Sequence, residues 1–514
     1  MSNMAQFGGH SAVYRPIEYA VTVGGSGGRA AGSLIEACSA RARARSRPHR
    51  RPVRRLATGA SFAVALALAV TATMPAVAQA NRAASPAGAV PSTSTLAAGG
   101  ELGPGASLTA PGGRYRLVMQ SDGNLVLYWL TEAAWQTRTS GHAGAHATMQ
   151  RDGNLVVYEG NKPLWSSRSG GNAAAAFTLS VLQDGNVVID HPGGRQLWSS
   201  HSETSRVRIL PERSPAFNGD AGDPSVLPLG AGYVAFTTGT PLGNNIQALV
   251  DSGSPAGGYA SYTHHTYGST ALATPPRWEQ KNTATSPSVL HYGGHWLMFY
   301  DASTAPHPTG TGYDCISVAT ATTLNASSPK FTDKSARPLV CEDPIGVLDP
   351  TAFVDPRSGK AYLLWKSNDG ASSQPSHVWS RLLDAAGTGF SGPAVSIWTN
   401  DTARFPWETT LDDPSLAYAN GRYFLMFSVG NFQSAKYSEA FAVCRGPAGS
   451  CSQPSGGPFL STYSHAYGPA GGSLFSDSKG NWWIVYAAWN SSRCQSYSCG
   501  AKRLMYVAPI DLGG

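Results

Sequence analysis

The nine-residue pattern Gln-x-Asp-Gly-Asn-Leu-Val-x-Tyr occurs twice in this chain, at 120–128 and 150–158, and a decayed third copy covers 182–190. The copies start 30 and 32 residues apart. A tryptophan follows each copy: Trp135, Trp165 and Trp198. In each copy Asp-Gly-Asn lies between alternating apolar residues, which is a strong signal for a β-hairpin turn. Repetition at this period indicates one hairpin unit stacked three times.

Strand alternation places four polar side chains of each complete copy around one groove. Two amides, a carboxylate and a phenol provide the donors and acceptors that hold vicinal hydroxyl groups of a sugar, and a valine supplies an apolar contact for the ring carbons. The candidate carbohydrate-binding residues are Gln120, Asp122, Asn124, Val126 and Tyr128 in the first copy and Gln150, Asp152, Asn154, Val156 and Tyr158 in the second. In the alternative interpretation, Asp-Gly-Asn only forms turns and the polar row is solvated surface.

The repeated residues closely resemble the motif of bulb-type mannose-binding lectins, and the resemblance covers 96–203. It implies a three-faced β-prism with a sugar site on each face. The third face departs from the motif, because Leu182 stands at the glutamine position and Asp190 at the tyrosine position. Its other motif residues persist: Asp184, Asn186 and Val188. We expect this face to bind sugar weakly or not at all.

Residues 1–80 differ in charge from the rest of the chain. They hold 10 of the 38 Lys and Arg residues but only 2 of the 31 Asp and Glu residues, which leaves 28 basic and 29 acidic residues elsewhere. The net charge of +7 therefore belongs to this leader and does not indicate a nucleic-acid partner. An arginine-rich stretch at 41–55, an apolar core at 62–70 and Ala78-Gln79-Ala80 are typical of a secretory signal peptide.

The leader predicts a secreted, extracellular protein that is cleaved after Ala80, with 81–95 as a linker and no membrane contact once the leader is removed. The alternative is a retained membrane anchor, because the apolar stretch is nearly long enough to span a bilayer. The 40 residues before Arg41 are long for the basic region of a signal peptide, so the true start of the chain stays open.

Six of the seven cysteines follow the leader, and the seventh is Cys38. An even number in an exported chain predicts disulfides, and six cysteines allow 15 pairings. Closing a short loop costs least, which favours pairs of near neighbours. The expected pairs are Cys315 with Cys341, Cys444 with Cys451, and Cys494 with Cys499. No Cys-x-x-Cys or Cys/His spacing indicates zinc, so no metal ligands are assigned.

From residue 204 onward a different repeat sets the pattern. Asp-Pro-Ser or a related sequence precedes an alternating apolar strand, a glycine-containing turn and an aromatic strand. The five cycles begin at Asp223, Ser286, Asp349, Asp413 and Gly472. Repeats of about 60 residues with almost no helical period favour a five-bladed β-propeller. The innermost strand of each blade then begins near the axis, so the aspartates before proline converge on one central pocket.

Separated carboxylates in one pocket suit glycoside hydrolysis, because one acts as the base for water and another as the acid for the leaving oxygen. The module resembles glycoside hydrolase family 43 and its relatives. The segments that carry the resemblance are 223–226, 348–355, 366–370 and 468–489. It implies that Asp223 is the general base and that Asp349 tunes the pKa of the acid and positions it. Asp412 stands at the position of the general acid.

The acid position departs from the family motif. The family's Glu-x-Pro is here Asp412-Asp413-Pro414, so the side chain is one methylene shorter. This bears on activity, because misplacing a catalytic group by about 1 Å costs roughly a hundredfold in rate. Glu408 is an alternative acid. Asp-Pro also caps turns, which is the alternative explanation for Asp223 and Asp349.

The family comparison also bears on bound ions. Gly471 stands where many relatives carry a histidine associated with an axial ion or water. No residue here supports a structural ion at the propeller axis, and no cofactor is expected.

The sequence therefore predicts an all-β protein with a β-prism lectin module at 96–203 and a five-bladed β-propeller at 204–514. The predicted function is inverting hydrolysis of an arabinose- or xylose-containing polysaccharide, while the lectin raises the local substrate concentration by binding mannose-type sugars. The competing hypothesis is a lectin or adhesin whose propeller is catalytically inactive.

Overall fold

The computed structural model describes residues 93–173, 175–203, 207–239, 245–251, 253–261, 270–304, 313–325, 329–342, 346–367, 375–453 and 456–513. The predicted signal peptide, its predicted cleavage site, most of the predicted linker and Cys38 lie outside these residues. Within them, no helix combines the length and apolarity needed to cross a membrane.

The first module consists of three four-stranded antiparallel sheets, one for each copy of the repeat. The first sheet contains β3 (Ser107–Thr109), β4 (Tyr115–Met119), β5 (Leu125–Trp129) and β6 (Glu132–Gln136). The second contains β2 (Glu101–Leu102), β7 (His146–Met149), β8 (Leu155–Glu159) and β9 (Lys162–Ser166). The third contains β1 (Thr95–Ala97), β10 (Thr178–Val181), β11 (Val187–Asp190) and β12 (Gln196–Ser199). Each Asp-Gly-Asn forms the predicted turn between two of these strands.

The three sheets share one core. Alternating apolar residues of the central strands are fully buried, among them Leu117, Leu127 and Val157. The tryptophans that follow the repeats pack edge to face, with ring centroids 5.6, 6.0 and 6.0 Å apart. Such aromatic pairs contribute about 0.5–1.5 kcal/mol each beyond their buried area. The repeated tryptophan therefore joins the three hairpin units.

The second module consists of five sheets, which correspond to the five sequence cycles. Blade 1 contains β14 (Gly222–Leu229), β15 (Gly232–Thr238), β16 (Ile246–Asp251) and β17 (Ala260–Ser261). Blade 2 contains β18 (Leu272–Thr274), β19 (Thr285–Tyr292), β20 (His295–Ser303), β21 (Asp314–Ala321) and β22 (Phe331–Thr332). Blade 3 contains β23 (Val347–Val354), β24 (Ala361–Ser367), β25 (His377–Leu382) and β26 (Val395–Thr399).

The last two blades complete the ring. Blade 4 contains β27 (Leu411–Ala419), β28 (Arg422–Val429), β29 (Ser438–Cys444) and β30 (Cys451–Ser452). Blade 5 contains β31 (Tyr467–Ser476), β32 (Trp482–Trp489), β33 (Arg503–Asp511) and, from the start of the module, β13 (Arg208–Ile209). A 3₁₀ turn, Tyr497–Cys499, lies between β32 and β33. The inner strands β14, β19, β23, β27 and β31 contact one another in turn, and β31 contacts β14. The module is thus a closed five-bladed propeller.

All three predicted disulfides are present. Cys315 pairs with Cys341, Cys444 with Cys451 and Cys494 with Cys499, with Cα–Cα distances of 4.6, 3.8 and 6.6 Å. The second links directly opposed residues of β29 and β30. The all-β class and the cysteine pairing are therefore confirmed.

Candidate active site

A β-bulge interrupts the pairing of every inner strand close to its start. The residue at each bulge has a φ between 47° and 67°: Asp223, Ser286, Asp349, Asp413 and Gly471. Side chains other than glycine rarely adopt this conformation, and it costs of the order of 1 kcal/mol or more. Bulges redirect side chains. Here they place three aspartates of three blades around the axis.

Hydrogen bonds between neighbouring blades hold the bulged backbone. The amide of Asp349 donates to Asp301 Oδ1 at 3.1 Å, and the amide of Asp413 donates to Asp349 Oδ2 at 3.1 Å. The amide of Gly471 donates to Ser428 Oγ at 2.8 Å. These bonds offset the backbone strain, and they fix the side chains of consecutive blades relative to one another.

Asp223 forms an ion pair with an arginine from the last strand. Arg503 Nη1 lies 2.6 Å from Asp223 Oδ1, and Thr238 Oγ1 donates to Oδ2 at 2.9 Å. Side-chain exposure is 6% for Arg503 and 17% for Asp223, so the ion pair is shielded but the carboxylate still reaches solvent. Each carboxylate oxygen keeps further acceptor capacity. Asp223 is therefore free to accept a proton from a water molecule.

Asp349 lies between two other blades. Its Oδ1 accepts a hydrogen bond from Ser286 Oγ at 2.9 Å. Burial raises the pKa of Asp349 to about 6; Lys366 opposes this shift, and the charges of Asp412 and Asp223 add to it. Beneath it, burial also raises the pKa of Asp301, which is 1% exposed, well above its ordinary value. The centre of the propeller thus concentrates negative charge.

Asp412 forms an ion pair with a buried lysine. Lys366 Nζ lies 2.5 Å from Asp412 Oδ1, with side-chain exposures of 9% and 15%. Burial on its own would lower the pKa of Lys366, but the charges of Asp412 and Asp349 outweigh it, so the net shift is upward. Tyr437 Oη donates to Asp412 Oδ2 at 3.0 Å.

Asp413 shares the same tyrosine. Tyr437 Oη lies 3.0 Å from Asp413 Oδ2 as well as from Asp412 Oδ2. A phenol carries one proton, so two hydrogen bonds require a second proton on one of the carboxyl groups. Burial, followed by the charges of Asp349 and Asp223, raises the pKa of Asp413 well above its ordinary value. Its raised pKa makes Asp413 a carboxyl group that can carry this second proton.

The structure brings Asp223, Asp349 and Asp412 together as the sequence predicts, and it adds residues that sequence reasoning missed. The added residues are Lys366, Tyr437 and Arg503. Only Lys366 carried a visible signal, as a charged residue directly after the apolar run of β24. Its neighbours 368–370, part of the family resemblance, lie outside the described residues.

Comparison with known proteins identifies the second module. The family model of "Glycosyl hydrolases family 43" matches residues 212–512, more than half of the chain. The protein belongs to glycosyl hydrolase family 43. No curated protein matches it.

Solved structures match each module separately. A thermostable family-43 glycoside hydrolase is 18% identical, with 60% of this chain and 91% of that chain covered and a TM-score of 0.45. The arabinanase Arb43A of Bacillus subtilis is 19% identical, with 56% and 94% covered and a TM-score of 0.42. A mannose-binding lectin from Gastrodia elata is 38% identical, with 21% and 97% covered and a TM-score of 0.20.

Glu408, the alternative acid, does not join the carboxylate cluster of this family 43 protein. Its side chain is fully buried, and its Oε2 accepts a hydrogen bond from the amide of Asp401 at 3.0 Å. Burial raises the pKa of Glu408 to about 7. The hydrogen bonds of Glu408 lie within the loop 400–408 and stabilise that loop. None of them reaches the aspartates of the pocket.

A cavity of about 80 Å³ lies on the propeller axis next to the carboxylates. Hydroxyl groups of all five blades line it: Ser225, Ser288, Thr351, Ser415 and Ser473. Among the described residues, no group of three or more His, Cys, Asp and Glu is arranged to hold a metal ion. A Cβ on Gly471 would lie 2.5 Å from Arg503 Nη2. Arg503 therefore takes the space that a side chain at position 471 would need.

The lectin residues also come together. Gln120 Nε2 donates to Tyr128 Oη at 2.7 Å, and Gln150 Nε2 donates to Tyr158 Oη at 2.8 Å. Asp122 and Asp152 each accept a hydrogen bond from the amide two residues on, at 3.0 and 3.1 Å. Val126 and Val156 expose only 2% and 3% of their surface, so they pack more deeply than the sequence suggests.

The asparagines distinguish the two copies. Asn124 Nδ2 donates to Gln136 Oε1 at 2.8 Å, and its Oδ1 accepts from Thr137 and Thr139. Asn124 is 5% exposed. In the second copy Ser166 replaces Gln136, and Asn154 Oδ1 accepts from Ser167 Oγ at 3.0 Å. Asn124 therefore stabilises a turn, whereas the Asn154 amide has no counterpart of Gln136 to occupy it.

Proposed function

We propose that the propeller hydrolyses glycosidic bonds of arabinose- or xylose-containing glycans with inversion of configuration. The observation that carries this function is the convergence of Asp223, Asp349 and Asp412, from three blades, at one end of the propeller axis. The pentose-containing substrates are those that the family resemblance implies.

The base is Asp223. It pairs with Arg503 and still reaches solvent, which suits a group that removes a proton from water. As the water oxygen bonds to the anomeric carbon, its proton passes to Asp223. The glycosidic bond breaks on the opposite side of the sugar ring, and the leaving oxygen must receive a proton there.

Asp413 is the source of that proton, which reaches the leaving oxygen through Tyr437 and Asp412. The Asp413 proton passes to Tyr437 Oη while the phenol proton passes to Asp412 Oδ2, so the tyrosine ends unchanged. Asp412 then protonates the leaving alcohol. The amide of Asp413 donates to Asp349 Oδ2, so Asp349 holds this residue in position. The relay explains how an aspartate that is paired with Lys366 can act as the acid.

Turnover of aryl pentosides and of soluble arabinan by the mature protein tests the proposal. Asp223→Asn and Asp349→Asn should each lose at least about a hundredfold in kcat/KM, because general acid and base groups contribute roughly 10²–10⁴-fold. Asp412→Glu should increase turnover if reach limits the acid. NMR of the first-formed sugar anomer tests inversion. No turnover by any variant would favour the binding-only propeller.

A second function is supported by a separate observation, the repeated Gln–Tyr pair of the first module. Each complete copy offers an amide, a carboxylate and a phenol to a mannose-type sugar. Retention of the mature protein on mannose-agarose, with elution by free mannose, tests this binding. Tyr128→Phe combined with Tyr158→Phe should abolish it.

We also propose that the protein is secreted. The leader has the composition of a signal peptide, and the three disulfides suit an oxidising compartment. Sequencing the amino terminus of protein recovered from the medium should start at Asn81.

A further inference from the structure

The two modules are joined by specific hydrogen bonds. Arg114 Nη1 donates to the backbone oxygens of Trp482 and Ile510, at 2.5 and 3.0 Å. In the other direction, Asn481 Nδ2 donates to the backbone oxygen of Gly112 at 3.2 Å. The guanidinium of Arg114 also lies over the ring of Trp483, 4.6 Å from its centroid. These contacts form a polar and aromatic junction between blade 5 and the first lectin sheet.

A partly buried ionic cluster lies at the same junction. Tyr115 Oη donates to Asp511 Oδ2, and Arg208 Nη2 donates to the same oxygen at 2.7 Å. Arg208 Nη2 also lies 3.0 Å from Tyr115 Oη, and its guanidinium lies 5.0 Å from the ring centroid of Trp129. One carboxylate of the propeller thus binds a tyrosine of the lectin module and an arginine of the connecting strand.

The third lectin copy takes part in this junction. Gln183 Nε2 donates to the backbone oxygen of Gly480 at 3.1 Å. A Cβ on Gly185 would lie 2.4 Å from the ring of Tyr115, so the turn of the third copy fits closely against that tyrosine. The third copy therefore packs against the propeller. This role accounts for the loss of two sugar-binding residues from its face.

The connection between the modules is short. The lectin module ends in the stretch before residue 204, and β13 begins at Arg208 as a strand of blade 5. Each extended residue spans at most about 3.6 Å, so residues 204–207 reach no more than roughly 15 Å. The first module therefore lies close to blade 5.

Strand direction shows which face of the propeller carries the lectin. Arg503, at the pocket, is the first residue of β33, and Gly471, also at the pocket, lies midway along β31. The junction residues lie at the other ends: Gly480 and Asn481 follow β31, and Asp511 ends β33. A strand of nine residues, such as β33, spans about 26 Å. The lectin module therefore lies on the face opposite to the carboxylate pocket.

We propose that the lectin, on the face opposite to the pocket, anchors this enzyme to a mannose-type glycan. The pocket then faces away from that glycan and hydrolyses a separate pentose glycan. This inference rests on both proposed activities. The anchoring glycan and the hydrolysed glycan are then different molecules, and the lectin determines where the enzyme works without delivering a sugar chain into the pocket.

Distances between spin labels test the geometry without either activity. The labels are placed on exposed residues of the full mature chain: Glu132 at the junction end of the first lectin sheet, Lys479 beside the junction and Lys502 beside the pocket. The 132–502 distance should exceed the 132–479 distance by about 20 Å, and both distributions should be narrow. Similar distances or a broad 132–502 distribution would overturn the inference.

Immobilisation then tests the functional consequence. Enzyme held on mannose-coated beads should hydrolyse soluble arabinan within about twofold of the rate of free enzyme. Loss of arabinan turnover with retained turnover of a small aryl pentoside would show that the pocket faces the beads, against the inference. Failure to bind the beads contradicts the lectin function, and failure of the free enzyme contradicts the hydrolase function. The label distances decide the geometry in both cases.

Discussion

At the scale of single residues, Asp413 is the least expected feature of the pocket. It occupies a bulge with φ 48°, where glycine fits without strain, and it stands among three other aspartates. An ionised carboxylate at this point would be repelled by Asp349 and Asp223. A neutral Asp413 instead completes the hydrogen bonds of Tyr437. A protonated side chain therefore explains why an aspartate occupies this position.

The first prediction concerns the pH dependence of stability. Because its pKa is raised in the folded state, Asp413 contributes stability that is fully present below its unfolded pKa and is lost as pH rises through the folded pKa. Asp413→Asn cannot ionise and escapes this loss. Calorimetry from pH 4 to 9 should show that the Tm of the variant increases relative to the Tm of the wild type as pH rises. Parallel curves would show that Asp413 is ionised throughout.

The second prediction concerns the relay. Tyr437→Phe should lower kcat by at least about tenfold on substrates with poor leaving groups and much less on activated aryl glycosides, because only the former depend on the acid. Tyr423→Phe is the matched control, since Tyr423 is also buried and donates to an aspartate, Asp355, away from the pocket. Equal losses on both substrate types would assign Tyr437 a structural role.

At the scale of elements, the hairpins and blades follow from sequence because their signals are local. Asp-Gly-Asn makes a turn wherever it occurs, and Asp-Pro-Ser marks the start of an inner strand. The partners of the aspartates are not local. Lys366 and Asp412 are 46 residues apart, and Arg503 and Asp223 are 280 residues apart. These pairs form only when the blades close into a ring. The sequence therefore predicts the aspartates of the pocket but not the basic residues that pair with them.

The third prediction concerns the two lectin hairpins. Asn124→Ala leaves Gln136 and the amide of Thr139 without their partner, so it should destabilise the protein by about 1–3 kcal/mol. Asn154→Ala should cost less stability but weaken mannose binding. Denaturant unfolding and calorimetric titration with mannose separate the two effects. Equal effects of the two substitutions on both measurements would show that the copies are equivalent.

At the scale of the whole molecule, the junction makes two modules into one mechanical unit. Propeller and lectin each have a core of their own, so either can in principle unfold separately. The hydrogen bonds of Arg114 and the Asp511 cluster couple them, because unfolding one module leaves charged groups of the other without partners. Charge-assisted bonds of this kind contribute about 1.5–3 kcal/mol each.

The last prediction tests this coupling. Wild-type protein should unfold in one calorimetric transition, whereas Arg114→Ala should split it into two, because the weakened junction no longer transmits unfolding between the modules. Arg116→Ala is the control, since Arg116 lies two residues further on, in β4, but is exposed. A single transition in both variants at the same Tm would show that Arg114 does not couple the modules. Two transitions already in the wild type would mean that the junction orients the lectin without linking its stability to that of the propeller.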